Sequence, residues 1–291
     1  MQTTRPILKM TFRPGRPEDA PSCGRIAYEG FKAIADEHNF PPDFPTLEYA
    51  VEVLSLVLSL PHVHTVVAEA DGQIVGSNFL WEDQGIGGIG PITVDPACQN
   101  GSVGRQMMEH VLQIAQAKGL LGVRLVQAGY HRRSLALYTK LGFDVREPLA
   151  VLQGACEVQL PGYAVRSAQE QDLHACNLLC RGIHGHERAG ELGAAFSQGS
   201  ANVVEYGGRI VGYSTGIGFF AHAVAENNTG LKALIGAAGE VSGPGLLLPM
   251  RNGELFRWCL ERGMRVVYTA TLMSIGLYNE PSGVFLPSIL Y

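Results

Sequence analysis

The amino-acid sequence predicts an α+β fold that contains two copies of one structural unit. The chain has 291 residues, enough for about two domains. Three segments of the first half recur in the same order in the second half, the third more weakly: "FRPGRPEDA" (12–20) as "VRSAQEQDL" (165–173), "VVAEADGQIVG" (66–76) as "VVEYGGRIVG" (203–212), and "LYTKLGFDV" (137–145) as "WCLERGMRV" (258–266). Because the order is kept, we expect each copy to have the same strands and helices.

The first copy is predicted to begin with one strand and two helices, followed by three strands. The repeated segment at 66–76 is a β-rich run around a glycine-containing turn, which is typical of a hairpin. Pro96 ends the strand that follows the hairpin. The predicted bounds are 11–16 for the first strand, 20–37 and 46–60 for the helices, and 64–69, 74–81 and 89–94 for the next strands.

The helix after Pro96 has a regular apolar face. Its apolar residues fall at i, i+4, i+8 and i+11, namely Val103, Met107, Val111 and Ile114. Gly119 follows at the position of a helix C′ residue. A strand at 123–127, a helix at 132–141 and a strand at 143–146 complete the copy. Glycine and proline punctuate residues 152–163, so the predicted domains are 1–155 and 161–291.

The composition excludes several classes of protein. The formal charge is −5 and 46% of the residues are hydrophobic, which argues for packed cores and against a general nucleic-acid binder. The start of the chain has no apolar segment of a signal peptide, and the longest apolar window, 51–61, is too short to span a membrane. Six scattered cysteines then predict reduced thiols and a cytoplasmic location.

Three motif matches are better explained by ordinary structure. "GIGGIG" (85–90) is followed by a strand-like segment and not by the helix of a dinucleotide-binding turn. "GYSTG" (212–216) likewise continues as strand, so Ser214 is not expected to be a nucleophile. Cys176, Cys180 and His184 share one helix face, a pattern that fits either metal ligands or core packing. Packing is the more common use, and no metal is predicted.

Residues 99–104, "QNGSVG", lie between strand and helix and have little side-chain bulk. The first amides of a helix have no intrahelical partner and carry positive potential, so such a start binds phosphate readily. The same residues also suit a tight turn capped by Ser102 or Asn100. Local chemistry alone leaves both interpretations open.

Two motifs in the first half resemble the GNAT superfamily of acyl-CoA N-acyltransferases. "QNGSVG" after "ITVDP" resembles the Q/R-x-x-G-x-G/A pyrophosphate loop, and "SLALYTKLGF" (134–143) resembles the family's "ALxLYxKxGF" segment. The resemblance covers about 150 residues, and the internal echo suggests a second, degenerate copy. It implies two tandem GNAT-like domains, each with a mixed, mostly antiparallel central sheet flanked by helices.

The resemblance also implies the site. Residues 99–105 would bind the pyrophosphate of acetyl-CoA, the acyl donor: Gln99, Asn100, Gly101, Ser102, Val103, Gly104 and Arg105. Ile92, Thr93 and Val94 would line the pantetheine arm, and His131 stands at the cofactor site where many members have Asn. Arg132 and Arg133 are either phosphate partners or surface residues. Tyr138 would be the catalytic acid that protonates the departing sulfur.

The general base is not apparent, because the strand before Val94 lacks the carboxylate that some members use. Glu82 and the neighbouring Asp83 are candidates, and so are residues of the first helix: Glu29, Asp36, Glu37 and His38. The predicted function is direct transfer of an acetyl or short acyl group to a small-molecule or peptide amine, with no nucleic acid, membrane or metal involved. A homodimer is compatible with the sequence, and a non-catalytic acyl-CoA sensor or scaffold is the alternative.

Overall fold

A computed structural model describes residues 10–99 and 101–290. The helices are α1 (Ala20–His38), α2 (Leu47–Ser59), α3 (Val103–Ala117), α4 (Arg132–Lys140), α5 (Leu173–His184), α6 (Ala189–Gln198), α7 (Asn228–Ala237) and α8 (Gly253–Glu261). The strands are β1 (Met10–Pro14), β2 (Val63–Ala70), β3 (Gln73–Asp83), β4 (Ile86–Ile89), β5 (Thr93–Val94), β6 (Gly122–Ala128), β7 (Asp144–Gln153), β8 (Tyr163–Ser167), β9 (Asn202–Tyr206), β10 (Arg209–Ser214), β11 (Ala223–Ala225), β12 (Leu246–Pro249), β13 (Arg265–Gly276) and β14 (Val284–Leu286). The α+β fold class with mostly antiparallel sheets is confirmed.

The contacts divide the chain into two compact units, and each has its own core. The first unit contains the described residues up to 123 together with 136–141. Its strands lie in the order β1-β2-β3-β4, and β5 also pairs with β3. Helices α1 and α2 pack against each other so closely that a Cβ on Gly24 would lie 2.6 Å from the Cα of Val51. Glycine is therefore required at position 24.

The second unit contains residues 124–135 and the described residues from 142 onward. It has one sheet in the order β6-β13-β7-β12 and another in the order β14-β11-β10-β9-β8. Strand β13 comes from the C-terminal half of the chain, yet it lies between β6 and β7 from the N-terminal half. The two halves of the sequence are thus interleaved in one sheet, and the division into domains 1–155 and 161–291 stays a prediction.

The sequence echoes correspond to equivalent structures. Arg13 makes a bidentate ion pair with Asp19, at 2.7 and 2.8 Å, and also contacts Glu69. Arg166 makes the same pair with Asp172, at 2.6 and 3.0 Å, and contacts Glu205. In both copies the aspartate also accepts a backbone hydrogen bond at the start of a 3₁₀ turn, from Arg16 or Gln169.

Both predicted hairpins are present as β2–β3 and β9–β10, and each contains a register shift. The predicted strand 89–94 is wrong in one respect, because it is two strands, β4 and β5. They are separated at Gly90 and Pro91, where proline has no N–H to donate to a ladder. The indole Nε1 of Trp81 donates to the Gly90 carbonyl at 2.7 Å and holds this break in place.

Strand β7 runs to Gln153 and is longer than the predicted strand at 143–146. Its residues 149–152 are fully buried and pair with both β12 and β13, which come from distant sequence. A local pattern does not show those partners. Among the described residues, no helix is both long and apolar enough to cross a membrane.

Candidate active site

The short strand β5 presents part of its backbone away from the sheet. Thr93 pairs with Ser77, and the Asp95 amide donates to the Val75 carbonyl at 2.9 Å. The N–H and C=O groups of a strand alternate in direction, so those of Ile92 and Val94 point to the opposite edge. The side chain of Thr93 is buried and its hydroxyl bonds that of Ser77 at 3.1 Å. Backbone groups on this edge are therefore placed to contact an extended ligand.

The loop that follows β5 ends in a strained residue. Ser102 is the N-cap of α3 with φ +66°, in the left-handed region that favours glycine. Its side chain is exposed and makes no capping hydrogen bond, so the alternative interpretation in which Ser102 caps the turn is not supported. Gln99 donates from Nε2 to the Val94 carbonyl at 3.4 Å, and Asn100 lies outside the described residues.

Gly104 brings three of the predicted parts together within the first unit. A Cβ at this position would lie 3.6 Å from Cγ2 of Val94 and 3.9 Å from Cδ2 of Leu137. The strand β5, the start of α3 and the helix α4 therefore meet at Gly104. Tyr138 follows Leu137 directly and is 5% exposed, the one buried residue of α4.

At the start of α3, the side chain of Val103 is buried and that of Arg105 is exposed. Val103 is 1% exposed and packs in the core, so only its backbone is available to a ligand. The Arg105 side chain is exposed, and its Nε donates to Glu109 at 2.8 Å. The guanidinium of Arg105 thus lies on the outer surface of the first turn of α3.

His131, which the family resemblance assigns to the cofactor site, caps the start of α4. Its Nδ1 accepts a hydrogen bond from the Ser134 amide at 3.0 Å, which is the geometry of an N-cap. The signal was present in the sequence, because His131 is three residues before Ser134 and directly precedes the helix. Arg132 and Arg133, the first residues of α4, are exposed.

The position of Glu82 argues against its role as general base. Lys118 lies 3.1 Å from its carboxylate and His64 lies 3.3 Å from it. The ammonium of Lys118 lowers the pKa of the Glu82 carboxyl, which weakens it as a base. Glu82 pairs with Gly87, five residues along β3 from the partner of Thr93, a distance of about 17 Å.

The remaining base candidates lie on neighbouring or more distant parts of the first unit. Asp83 pairs with Ile86 at the β3–β4 turn. Glu29 accepts from Arg25 at 2.6 Å, and Asp36 accepts from Lys32 at 2.5 Å. His38 contacts the Ile34 carbonyl at 3.0 Å, and Glu37 is the exposed residue beside it on α1. Arg25 also donates to Asp95, the residue directly after β5, at 2.9 Å, so the Glu29 carboxylate belongs to an ion-pair network beside the end of β5.

The corresponding helix of the second copy begins differently. Asn227 caps α7 by accepting from the Gly230 amide at 3.1 Å. The preceding residue, Glu226, forms an ion pair with Arg209. A side chain thus already bonds the first turn of α7, and a carboxylate lies beside it, whereas α3 begins with the uncapped Ser102.

The motif at Cys176, Cys180 and His184 lies on α5, and all three side chains are buried. Burial raises the pKa of the Cys176 thiol to about 12, which disfavours the thiolate that a metal would need. The glycine-rich motif lies in β4, and Ser214 lies at the end of β10. After Ser214 the chain forms a loop to Ala223, where the sequence predicts more strand.

Comparisons with known proteins agree with this arrangement. Residues 31–143 match the model of the acetyltransferase (GNAT) family. An IAA acetyltransferase of Azospirillum brasilense is 32% identical over 93 residues, which are 31% of this chain and 61% of that protein. A mycothiol acetyltransferase of Amycolatopsis mediterranei is 29% identical over 160 residues, which are 49% of each chain. The alignments therefore span less than two thirds of either curated relative.

Solved structures show that the fold is shared along nearly the whole chain. A structure from Pyrococcus horikoshii has a TM-score of 0.71 at 16% identity and covers 98% of both chains. A GCN5-related N-acetyltransferase from Sphaerobacter thermophilus has a TM-score of 0.62 at 15% identity, with 96% of this chain and 98% of that one covered. The match to the acetyltransferase (GNAT) family thus covers residues 31–143, and at 15–16% identity these structures show a shared fold along nearly the whole chain.

Proposed function

We propose that the protein transfers an acetyl or other short acyl group from acyl-CoA to an amine nitrogen. The observation that supports this best is the meeting of β5, the start of α3 and α4 at Gly104. Those three elements carry the backbone edge, the phosphate-binding loop and the tyrosine that the reaction needs. The acyl donor is a substrate, and no metal is part of the proposal.

The loop and the first turn of α3 would hold the diphosphate of the donor. Helix amides that face a phosphate each contribute on the order of 1.5–3 kcal/mol through charged hydrogen bonds. Ser102 leaves the helix start uncapped, and Gly104 carries no side chain that would occupy the approach. The pantetheine arm would lie along Ile92 and Val94, bonded by backbone groups that β3 does not use.

The chemistry requires orientation and two proton transfers. The amine lone pair attacks the thioester carbonyl, a C–N bond forms, and the C–S bond breaks. The attacking nitrogen loses one proton and the departing sulfur gains one. Tyr138 would donate the second proton, since a phenol remains protonated at neutral pH and the departing thiol has a pKa of about 8.5.

The acceptor is proposed as an amine on a small molecule or a peptide. The two curated relatives are named for different compounds, so the family match does not select one. Five of the six cysteines are buried free thiols, which fits a reducing compartment such as the cytoplasm. That the protein forms a homodimer is likewise a proposal.

A non-catalytic acyl-CoA sensor is the second candidate. The observation that favours it is the β4 sequence IGGI, which has no carboxylate, together with the ion pair that holds Glu82. A sensor would bind the donor with similar contacts but would not release free thiol in the presence of amines.

One set of measurements distinguishes the acyltransferase from the acyl-CoA sensor. Acetyl-CoA is incubated with a panel of primary amines and thiol release is followed, while CoA affinity is measured by calorimetry. We expect one CoA site per chain, amine-dependent thiol release, and loss of binding in Gly104→Glu through bulk and repulsion of the phosphates. Gly104→Ala is the matched control, because its Cβ makes only ordinary contacts.

Binding without amine-dependent turnover across the panel would favour the sensor. Unchanged CoA affinity in Gly104→Glu would place the site elsewhere, and two sites per chain would show that the second copy also binds.

A further inference from the structure

The turn that leads from β5 towards α3 is organised around Asp95. Its amide donates to the Val75 carbonyl at 2.9 Å, which continues the pairing of β5 with β3 by one residue. Its carbonyl accepts from the Cys98 amide at 2.8 Å, and its Oδ1 accepts from the Ala97 amide at 2.9 Å. Asp95 therefore sets the direction in which the chain leaves the sheet and enters residues 99–104.

The other carboxylate oxygen of Asp95 links this turn to helix α1. Its Oδ2 accepts from Nη2 of Arg25 at 2.9 Å, and Nη1 of the same guanidinium donates to Glu29 at 2.6 Å. The Asp95 side chain is 17% exposed and that of Arg25 is 43% exposed. The turn is thus fixed to the sheet through its backbone and to the helix through this ion pair.

The second copy has the same strand end and an acid at the same position. The last residue of each repeated segment, Gly76 or Gly212, pairs with the last residue of β5 or β11. Glu226, which follows β11, therefore corresponds to Asp95. Its amide makes the equivalent hydrogen bond to the neighbouring strand, at 2.9 Å to the Val211 carbonyl. The two copies thus share the strand pairing and the acid.

The partner of that acid differs between the copies. The ion pairs that begin the two copies align α1 with α5, and at this alignment Leu178 takes the position of Arg25. Leu178 is 49% exposed and has no group that could bind an acid. Glu226 pairs with Arg209 of β10 instead, with 2.8 Å between Nη2 and Oε2. The link from acid to helix therefore accompanies the QNGSVG loop, and the copy without that loop pairs its acid within the sheet.

We propose that Arg25 is a positioning residue for the acyl donor, because through Asp95 it fixes the entry of the loop that binds the diphosphate. The inference rests on the proposed function, since the diphosphate is what this loop would hold. The guanidinium of Arg25 already contacts two carboxylates, so it acts on the loop and not on the phosphates directly. A loop entry that is held in place before binding lowers the cost of ordering it around the ligand.

The test measures CoA affinity by calorimetry in the full-length protein. Arg25→Gln removes the ion pair, and Asp95→Asn removes it while keeping an oxygen for the Ala97 amide. We expect each variant to weaken CoA binding about tenfold, because the ligand must then order the loop entry. Arg25→Lys should recover part of the loss. The double variant should bind no more weakly than either single variant, since both remove one interaction.

Two controls separate positioning of the loop from general damage. Pantetheine has the arm of CoA without the diphosphate, so its affinity, measured by competition with CoA, should be equal in wild type and Arg25→Gln. Arg209→Gln breaks the corresponding exposed ion pair of the second copy and should keep wild-type CoA affinity. Partly exposed ion pairs contribute little to stability, so the variants should fold, and urea unfolding verifies this.

Wild-type CoA affinity in folded Arg25→Gln and Asp95→Asn proteins would overturn this inference and leave the proposed function intact. An equal loss of pantetheine affinity, or an equal loss of CoA affinity in Arg209→Gln, would also overturn it. If Arg25→Gln does not fold, Arg25→Lys and Asp95→Asn decide. A wild-type protein that binds no CoA would overturn both this inference and the proposed function.

Discussion

At the scale of single residues, Ser102 is the most strained position of the candidate site. Its left-handed backbone costs a side-chain-bearing residue about 1–2 kcal/mol, and its hydroxyl does not cap α3. We expect Ser102→Gly to raise the free energy of unfolding by about 0.5–1 kcal/mol, after the entropy that glycine gains in the unfolded chain is subtracted. Urea unfolding measures this, and CoA affinity should be retained.

Ser102→Ala is the control for the hydroxyl. Because the side chain makes no capping bond, the alanine variant should stay within about 0.5 kcal/mol of wild type. A glycine variant less stable than wild type would mean that the backbone at residue 102 relaxes in solution.

Tyr138 is the second residue with a testable role. Its burial fits both a packed tyrosine and a proton donor placed under the cofactor. We expect Tyr138→Phe to keep the fold and near-native CoA affinity, and to lower kcat at least about tenfold, since a general acid contributes about 10²–10⁴-fold. An unchanged kcat, with acyl transfer shown to limit the rate, would make Tyr138 a core residue only.

At the scale of elements, α4 depends on its histidine cap. Removing an N-cap side chain costs about 1 kcal/mol, so His131→Ala should destabilise the protein by that amount in urea unfolding. His131→Asn places another hydrogen-bond acceptor at the cap and should stay near wild type. Equal stability of the two variants would show that the Ser134 amide finds another acceptor, such as water.

The helices and strands also show which structural features can be predicted from local sequence patterns. The echo of Arg13 and Asp19 in Arg166 and Asp172 is readable because one ion pair and one 3₁₀ turn lie within seven residues. The helix α3 follows from its apolar spacing. The break between β4 and β5 has a local signal in Gly90 and Pro91, but the hydrogen bond that the Trp81 indole donates across the hairpin to Gly90 has none. Local motifs are predictable from sequence, and contacts between strands are not.

At the scale of the whole chain, sequence motifs alone pick out the loop and Tyr138 as candidates. The sequence does not predict the insertion of β13 between β6 and β7, because strand partners about 120 residues apart leave no periodic signal. The contact between His184 and His222 in the second unit escapes sequence patterns for the same reason. His184 ends α5, whereas His222 lies just before β11, and only the fold brings their rings together. The spacing of His184 in the sequence points only to metal binding or core packing.

Those buried histidines predict how the whole protein responds to acid. Their pKa values lie below the unfolded value of about 6.5, so unfolding takes up protons wherever the pH is below that value. Their stabilising contribution is complete above a pH of about 6.5 and is lost as the pH falls toward their native pKa values. Asp19 and Asp172 act in a separate window below about pH 4, because Arg13 and Arg166 lower their pKa values.

We therefore expect the free energy of unfolding to fall as the pH is lowered from about 7 toward 5, with a slope that approaches about 1.4 kcal/mol per pH unit for each histidine that stays neutral in the folded protein. Burial also lowers the pKa of His186 to about 4, so this histidine contributes to the same slope. Urea unfolding at several pH values measures this slope. His222→Gln keeps a hydrogen-bonding group beside His184 but takes up no proton, so its slope should be smaller by about one proton. The variant differs in absolute stability as well, and the slope is the quantity that tests the prediction. A slope equal to that of wild type would mean that His222 takes up no extra proton on unfolding, because it is already protonated to the same extent in the folded protein.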